Sequence, residues 1–235
     1  MSIQLKKNLS GVFHGPHDIR AEELDFPIIS ANGVLIKVIK AGICGTDIHF
    51  FHDAIIPMGS VQGHEFAGVI EAVGDNVRDL TIGTRVTVNP LIAGTGLGYS
   101  PGGFAQYVAI EDAKMGHNIF LIPDNVTDEK GALVEPLSVG YAGVKRSGIQ
   151  RDQNAVILGA GTIGLTVLAS LKGLGVKNVV VSDISDMRLN MAAQLGASHV
   201  FNPSTDGDLK DFLKEVFGAV PAFTGDVTPN VQFVY

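Results

Sequence analysis

Cys44, the only cysteine in the chain, stands in Cys44-Gly45-Thr46-Asp47-Ile48-His49, twenty residues ahead of Gly63-His64-Glu65. A thiolate, an imidazole and a carboxylate together suit zinc, which in a catalytic site takes about three protein ligands and keeps one position open. Zinc lowers the pKa of bound water and thiols, so such a site makes an alcohol reactive at neutral pH. Far along the chain, Gly159-Ala160-Gly161-Thr162-Ile163-Gly164 follows an apolar run and opens a helical pattern. In that context the glycines read as a dinucleotide fingerprint. The first permits a tight turn, the second lets backbone approach a pyrophosphate, and the third lets the helix pack on the strand. The diphosphate then lies on the helix N-terminus, where free N–H groups and the dipole favour negative charge. Asp183 closes the next strand, where it can accept from both ribose hydroxyls and repel a 2′-phosphate, which points to NAD rather than NADP. Arg188, five residues on, is in reach of adenine or ribose. Each feature alone has an ordinary explanation: an inert buried thiol, a core histidine, packing glycines, a helix cap. The conjunction points to a metal-assisted dehydrogenase.

The elements that must hold these residues differ between the two halves. Residues 1 to about 125 read as short strands broken by turns: Val34 to Ile39, Phe66 to Val73, Arg85 to Val88, Phe104 to Ile110 and Ile119 to Ile122. Such spacing predicts a β-rich domain or barrel. Asn89 to Gly103 carries five glycines and no metal ligand, and reads as a surface loop. Thr127 to Arg146 turns helical, with Pro136 as a break or restart. Phe50, Phe51, Ile55, Ile56 and Met58 follow the cysteine motif as either pocket lining or loop anchors.

Beyond Gly148 to Asp152, strand and helix alternate. Ala155 to Leu158, Val179 to Val181 and His199 to Phe201 read as strands, with Val231 to Tyr235 as a fourth, unpaired or partly paired. Ile163, Val167, Leu171 and Leu174 recur at helical spacing before Gly175. A second helix is expected from a Ser185 cap to Leu195, and a third over Leu209 to Phe217. Alternation of this kind implies a parallel, doubly wound sheet. The expected class is therefore α/β, with a β-rich domain over 1–148 and a dinucleotide-binding domain over 149–235.

Composition narrows the function classes. A hydrophobic share of 46% against 17% charged residues supports buried cores. A formal charge of −7 with no cluster of Lys and Arg argues against nucleic acid. One cysteine makes no internal disulfide, Met1 to Ser10 lacks a signal-peptide core, and no run approaches a membrane span. These features predict a cytoplasmic protein with no membrane partner.

Four separated motifs, Gly42 to Asp47, Gly63-His64-Glu65, Glu135-Pro136-Leu137-Ser138-Val139 and Gly159 to Gly164, give the chain a resemblance along essentially its whole length. It resembles the zinc-dependent medium-chain dehydrogenase/reductase family, on the polyol side that includes sorbitol, threonine and butanediol dehydrogenases. The resemblance implies a GroES-like catalytic domain, a Rossmann domain, and catalytic zinc in the cleft between them. It implies Cys44 and His64 as zinc ligands, with the third supplied by Glu65 or by Glu135. Asp47 matches a residue that orients the histidine ligand, Thr46 the hydroxyl that receives the alcohol proton, and His49 the relay that passes it to solvent. The implied reaction is hydride transfer between NAD and a secondary alcohol or polyol, a small-molecule substrate.

Two departures qualify the resemblance. Many relatives bind a structural zinc through four cysteines in a lobe loop; Asn89 to Gly103 has none, so only the catalytic zinc is expected. That lobe often contributes to subunit contacts, so oligomeric state does not carry over and a homo-oligomer stays open. Relatives also continue through the second half of the Rossmann sheet, so the expected Rossmann domain is incomplete at its C-terminal side. The alternative reading that follows is a truncated, non-catalytic zinc- and NAD-binding relative, or a fragment of such an enzyme.

Overall fold

A computed structural model describes residues 7–53 and 55–235. Of the N-terminal stretch read above, Met1 to Ser10, residues 1–6 lie outside the described part. The chain divides into two compact units, one ending at Glu135 and the other running from Pro136 to Tyr235.

The first unit opens with β1 (Lys7–Gly15) and β2 (Asp18–Asp25), an antiparallel hairpin. Then come β3 (Val34–Ala41), α1 (Gly45–Asp53), β4 (Phe66–Val73), β5 (Arg85–Val88), the single turn α2 (Pro90–Ala93), β6 (Tyr107–Ile110), β7 (Ile119–Leu121) and α3 (Asp128–Ala132). Strands pair in the order β6-β3-β4-β5-β7, all antiparallel. Alternate residues of these strands, among them Val34, Ile36, Ile70, Val86, Val108 and Ile110, point to one face and close a single core. This is the β-rich half that the strand spacing predicts.

The run from Thr127 to Arg146 is helical but breaks earlier than Pro136. Helix α3 ends at Ala132 with Leu133 as its C-cap, and α4 (Val134–Ser147) restarts at once with Pro136 in its first turn. A first-turn N–H has no intrahelical acceptor, so proline is tolerated there. The division between units falls near the start of α4, and the expected boundary at 148 falls at its end.

The second unit continues with β8 (Asn154–Leu158), α5 (Thr162–Gly173), β9 (Asn178–Ser182), α6 (Asp186–Gln194), β10 (His199–Phe201), α7 (Leu209–Phe217), β11 (Ala219–Pro221), β12 (Val227–Pro229) and β13 (Phe233–Val234). The parallel sheet has the order β10-β9-β8-β13. Its strands are buried on both faces: Ala155, Ile157, Val179 and Val181 pack with Leu168 and Leu171, and Val156 and Val180 pack with Phe201 and Leu213 on the other side. That two-sided burial explains why these strands read as continuous apolar runs. The final strand is partly paired, joined to β8 on one side at the edge of the sheet: Leu158 N–H donates to Tyr235 O and Tyr235 N–H to Val156 O, each at 2.9 Å. Ser185 occupies the cap position of α6 but makes no side-chain cap bond. The β11–β12 hairpin had no sequence signal recognised above.

Candidate metal centre and dinucleotide site

Strands β3 and β4 are antiparallel neighbours with Ala41 opposite Phe66, so a chain that leaves β3 and returns to β4 ends beside its starting point. Cys44 lies just past β3, and His64 and Glu65 lie just before β4. Gly42 N–H donates to Glu65 O at 2.7 Å and closes the junction. As a result, donor atoms of Cys44, His64 and Glu65 all lie within 4.8 Å of one another. Among the described residues they form the one group of three or more such donors.

Asp47 ties the two segments together. Its Oδ2 accepts from Cys44 N–H at 2.9 Å, as an acid three residues into a helix does when it reaches back to the cap. Its Oδ1 accepts from Gly63 N–H at 3.3 Å and lies 3.6 Å from His64 Nδ1, just beyond hydrogen-bond reach. His64 Nδ1 is buried with no hydrogen-bond partner among the described residues. One carboxylate, only 3% exposed, thus ties the cysteine turn to the Gly63 turn and lies beside the histidine ring.

Glycines make this closeness possible. A Cβ on Gly42 would collide with Glu65 Oε2, and one on Gly63 (φ +94°) would sit 2.6 Å from the Phe104 ring. Gly96 and Gly102 pack on the Gly63 carbonyl in the same way. The segment from Asn89 to Gly103 is therefore more than the surface loop expected. It begins with α2 capped by Asn89, buries Thr95, and joins the turn that carries His64 through Gly102 N–H to Val61 O and Gly103 N–H to Gly63 O.

The electrostatics of the cluster fit a divalent cation. Burial lowers the His64 pKa, but Asp47 and then Cys44 outweigh it and raise the imidazole to about 9. Burial raises Glu65, against the pull of Cys44 and His64. Three groups able to carry negative charge, Cys44, Glu65 and Asp47, surround one imidazole with little water, which is costly without a cation. The residues present fit zinc by the chemistry of the donor set: soft sulfur, borderline nitrogen and hard oxygen gathered within 4.8 Å, with a carboxylate behind the histidine. Glu135, half-buried, lies outside this three-donor cluster. It is still close enough to be acted on: burial raises its pKa, the His64 charge lowers it, and Glu65 and Asp47 raise it again.

Thr46 is half-buried in the first turn of α1, and His49 is exposed on the same helix, 3.8 Å from Asp53. Of the apolar residues after the motif, Ile56 is an anchor packed against Gly98, while Ile55 and Met58 are exposed. Gln62 gave no sequence signal, yet it is 1% exposed and neither of its amide atoms has a hydrogen-bond partner among the described residues.

In the second unit, Gly159 turns at φ +109°, and a Cβ on Gly164 would sit on the Gly159 carbonyl oxygen. A Cβ on Gly161 would meet nothing within 4 Å, so its surroundings are open. Helix α5 begins there without a side-chain cap, leaving first-turn N–H groups for an anion. Asp183 accepts from Ala160 N–H at 2.7 Å and Ser185 N–H at 2.8 Å. Burial opposes its charge, yet these bonds and Arg188, 3.8 Å away, hold its carboxyl below the usual carboxylate range. An open cavity of about 330 Å³ is bounded by Gly159, Ser182, Asp183, Ile184, Arg188 and Pro203. Ile184 and Pro203 are walls that the motif did not reveal.

Comparison with known proteins places these two sites in one family. Residues 30–124 match the alcohol dehydrogenase GroES-like domain, and residues 162–229 match the zinc-binding dehydrogenase domain. Sorbitol dehydrogenase of Bos taurus is 34% identical over 252 residues, covering 97% of this chain and 70% of that protein. The crystal structure of 2R,3R-butanediol dehydrogenase from Bacillus subtilis superposes with a TM-score of 0.80 at 30% identity, over 88% of this chain and 67% of that one. A zinc-binding dehydrogenase from Sinorhizobium meliloti 1021, solved with NADP bound, gives 0.78 at 28% identity, over 91% and 66%. The chain spans about two thirds of the length of the proteins it matches. With both domains matched in order, and with a zinc-compatible donor set in the first, the chain belongs to the zinc-dependent medium-chain dehydrogenase/reductase family, on its polyol dehydrogenase branch.

Proposed function

We propose that this protein works as an NAD-dependent oxidoreductase on a secondary alcohol or polyol: a vicinal diol, a sugar alcohol or a hydroxy amino acid. The observation that carries the reading is the convergence of Cys44, His64 and Glu65 donors within 4.8 Å, locked by Asp47. These three residues would hold a single zinc, which supplies the Lewis acidity that makes an alcohol easier to deprotonate. Glu135 stands behind the set as a nearby charge. Asp47 keeps the His64 ring oriented. Thr46 would accept the alcohol proton on its hydroxyl oxygen as it gives up its own, and the exposed imidazole of His49 would pass that proton to solvent, general acid-base help typically worth about 10²–10⁴-fold.

In the second unit the first-turn N–H groups of α5 would hold the pyrophosphate of the dinucleotide, which when bound supplies a hydride acceptor. Gly161 leaves room for its approach, and Asp183 holds the ribose hydroxyls. As a carboxylate, charged at neutral pH, Asp183 would repel a 2′-phosphate, which favours NAD over NADP. A reducing, cytoplasmic setting agrees with the single cysteine. Among the described residues no helix is long and apolar enough to cross a membrane.

The test is reduced-nucleotide formation by the zinc-loaded protein against 2,3-butanediol, sorbitol and threonine, with NAD and NADP in parallel. Turnover with NAD that vanishes in Cys44→Ser supports the reading. A folded, zinc-loaded sample that binds NADH without turnover on any of them supports the non-catalytic alternative instead.

A further inference from the structure

His17 and His52 meet on a surface that the proposed chemistry leaves unused. His17 sits in the turn Gly15-Pro16-His17-Asp18 between β1 and β2, at φ +62°. Glycine or asparagine is the usual residue after proline in such a turn, and an ordinary side chain there is strained. Helix α1 holds it in place. The His17 N–H donates to the Phe51 carbonyl at 2.7 Å, and its ring packs edge-on against Phe51 and His52. His17 Nε2 and His52 Nδ1 face each other at 3.4 Å, and both residues are exposed.

That separation matches a metal geometry. Two imidazole nitrogens about 2.0–2.1 Å from one tetrahedral zinc are about 3.3–3.4 Å apart. Imidazole donors select zinc, copper and nickel over magnesium or calcium. Asp53 adjoins His52 in sequence and adds negative charge, whereas the carboxylate of Asp18 beside His17 is engaged by Arg20. Among the described residues no third His, Cys, Asp or Glu donor joins the pair, so the remaining coordination positions would belong to water.

We propose that His17 and His52 form a second, exchangeable site for an imidazole-preferring divalent ion, clipping the β1–β2 turn to the far end of α1. The hydrogen shared between the rings moves to the other nitrogen of its own ring, so a neutral pair binds the ion without losing a proton. The same helix begins beside Cys44 and carries Asp47, so an occupied clip restrains the element that orients the first centre.

The experiment titrates zinc into the full chain against a chromophoric chelator, with Cu²⁺ paramagnetic resonance as the second readout. Wild type should bind one tight and one weaker zinc. His17→Asn, which suits the left-handed turn, and His52→Gln should each lose the weaker equivalent and keep the tight one. Cys44→Ser should do the reverse, which separates failure of this site from failure of the dehydrogenase reading. Cu²⁺ at the weak site should show two nitrogen ligands in wild type and fewer in His52→Gln. A wild type without the weaker equivalent, or one that persists in both histidine variants, overturns the proposal.

Discussion

The metal cluster of the first unit and the glycine loop of the second are built on opposite principles. Cys44, Asp47, His64 and Glu65 come from two turns separated by an excursion of twenty residues, and they meet because β3 and β4 are antiparallel neighbours. Gly159, Gly161, Gly164 and Asp183 belong to one continuous β-α-β passage, whose geometry follows from local strand-turn-helix order. The first site depends on tertiary clamps, Asp47 above all. The second depends on absent side chains. Damage should therefore spread differently in the two.

The largest effect expected is loss of the metal with the dinucleotide site left intact. Cys44→Ser or His64→Ala should weaken zinc retention by more than the roughly 10–100-fold typical of losing an outer partner. NADH binding, followed by fluorescence, should stay unchanged. If NADH binding falls with zinc, the two sites are not independent.

Next is a pH effect confined to the metal-free protein. His64 is raised from 6.5 to about 9, so the stability it contributes is fully present below about pH 6.5 and is lost as pH rises through 9. The loss amounts to about 3 kcal/mol at most. Thermal unfolding of the chelated protein should therefore drop between pH 7 and 9. The zinc-loaded protein should lack this drop, because a ligating imidazole has already given up its proton. A flat profile for the chelated protein would show that Asp47 does not act on His64 as the geometry indicates.

Asp47→Asn sharpens the contrast by removing the clamp's charge while keeping an oxygen for one backbone N–H. Zinc affinity should fall by about 10–100-fold, measured by chelator competition, with the fold retained. The smallest expected effects test the glycine loop. Gly164→Ala forces a methyl onto the Gly159 carbonyl and should cost about 1–3 kcal/mol in unfolding. Gly161→Ala has open space in the free protein, so it should leave stability unchanged and weaken NADH binding alone. Equal stability losses in the two variants would contradict the packing seen around them.

The second unit was the more legible in sequence, because its signals are local. Strands at His199 to Phe201 and near Ala155 and Val179 stand out as short apolar runs, and Gly175 marks a helix end at φ +87°. What failed there was also instructive. Ser185 has the right residue type at the right position but makes no cap bond, and the β11–β12 hairpin lacks a strong alternating pattern. In the first unit, the residue types at Cys44, His64 and Glu65 named a metal chemistry without fixing the third ligand. Nothing in their spacing ranked Glu65 against Glu135, since either carboxylate suits zinc. The structure separates them by distance, with Glu65 inside the 4.8 Å cluster and Glu135 outside it.

By itself, the sequence determined which chemistries were available. One thiol, a His-Glu pair, a glycine fingerprint followed by an acid, and the alternation of apolar residues are properties of residue type and local order. Tertiary structure alone decided which of those groups share a site: the return of β4 beside β3, the reach of Asp47 into two turns, the packing of Gly96 and Gly102 on Gly63, and the meeting of His17 with His52. The physical reason is that side-chain chemistry is carried along the chain, whereas proximity across tens of residues is set by strand pairing and by where glycine lets backbones touch.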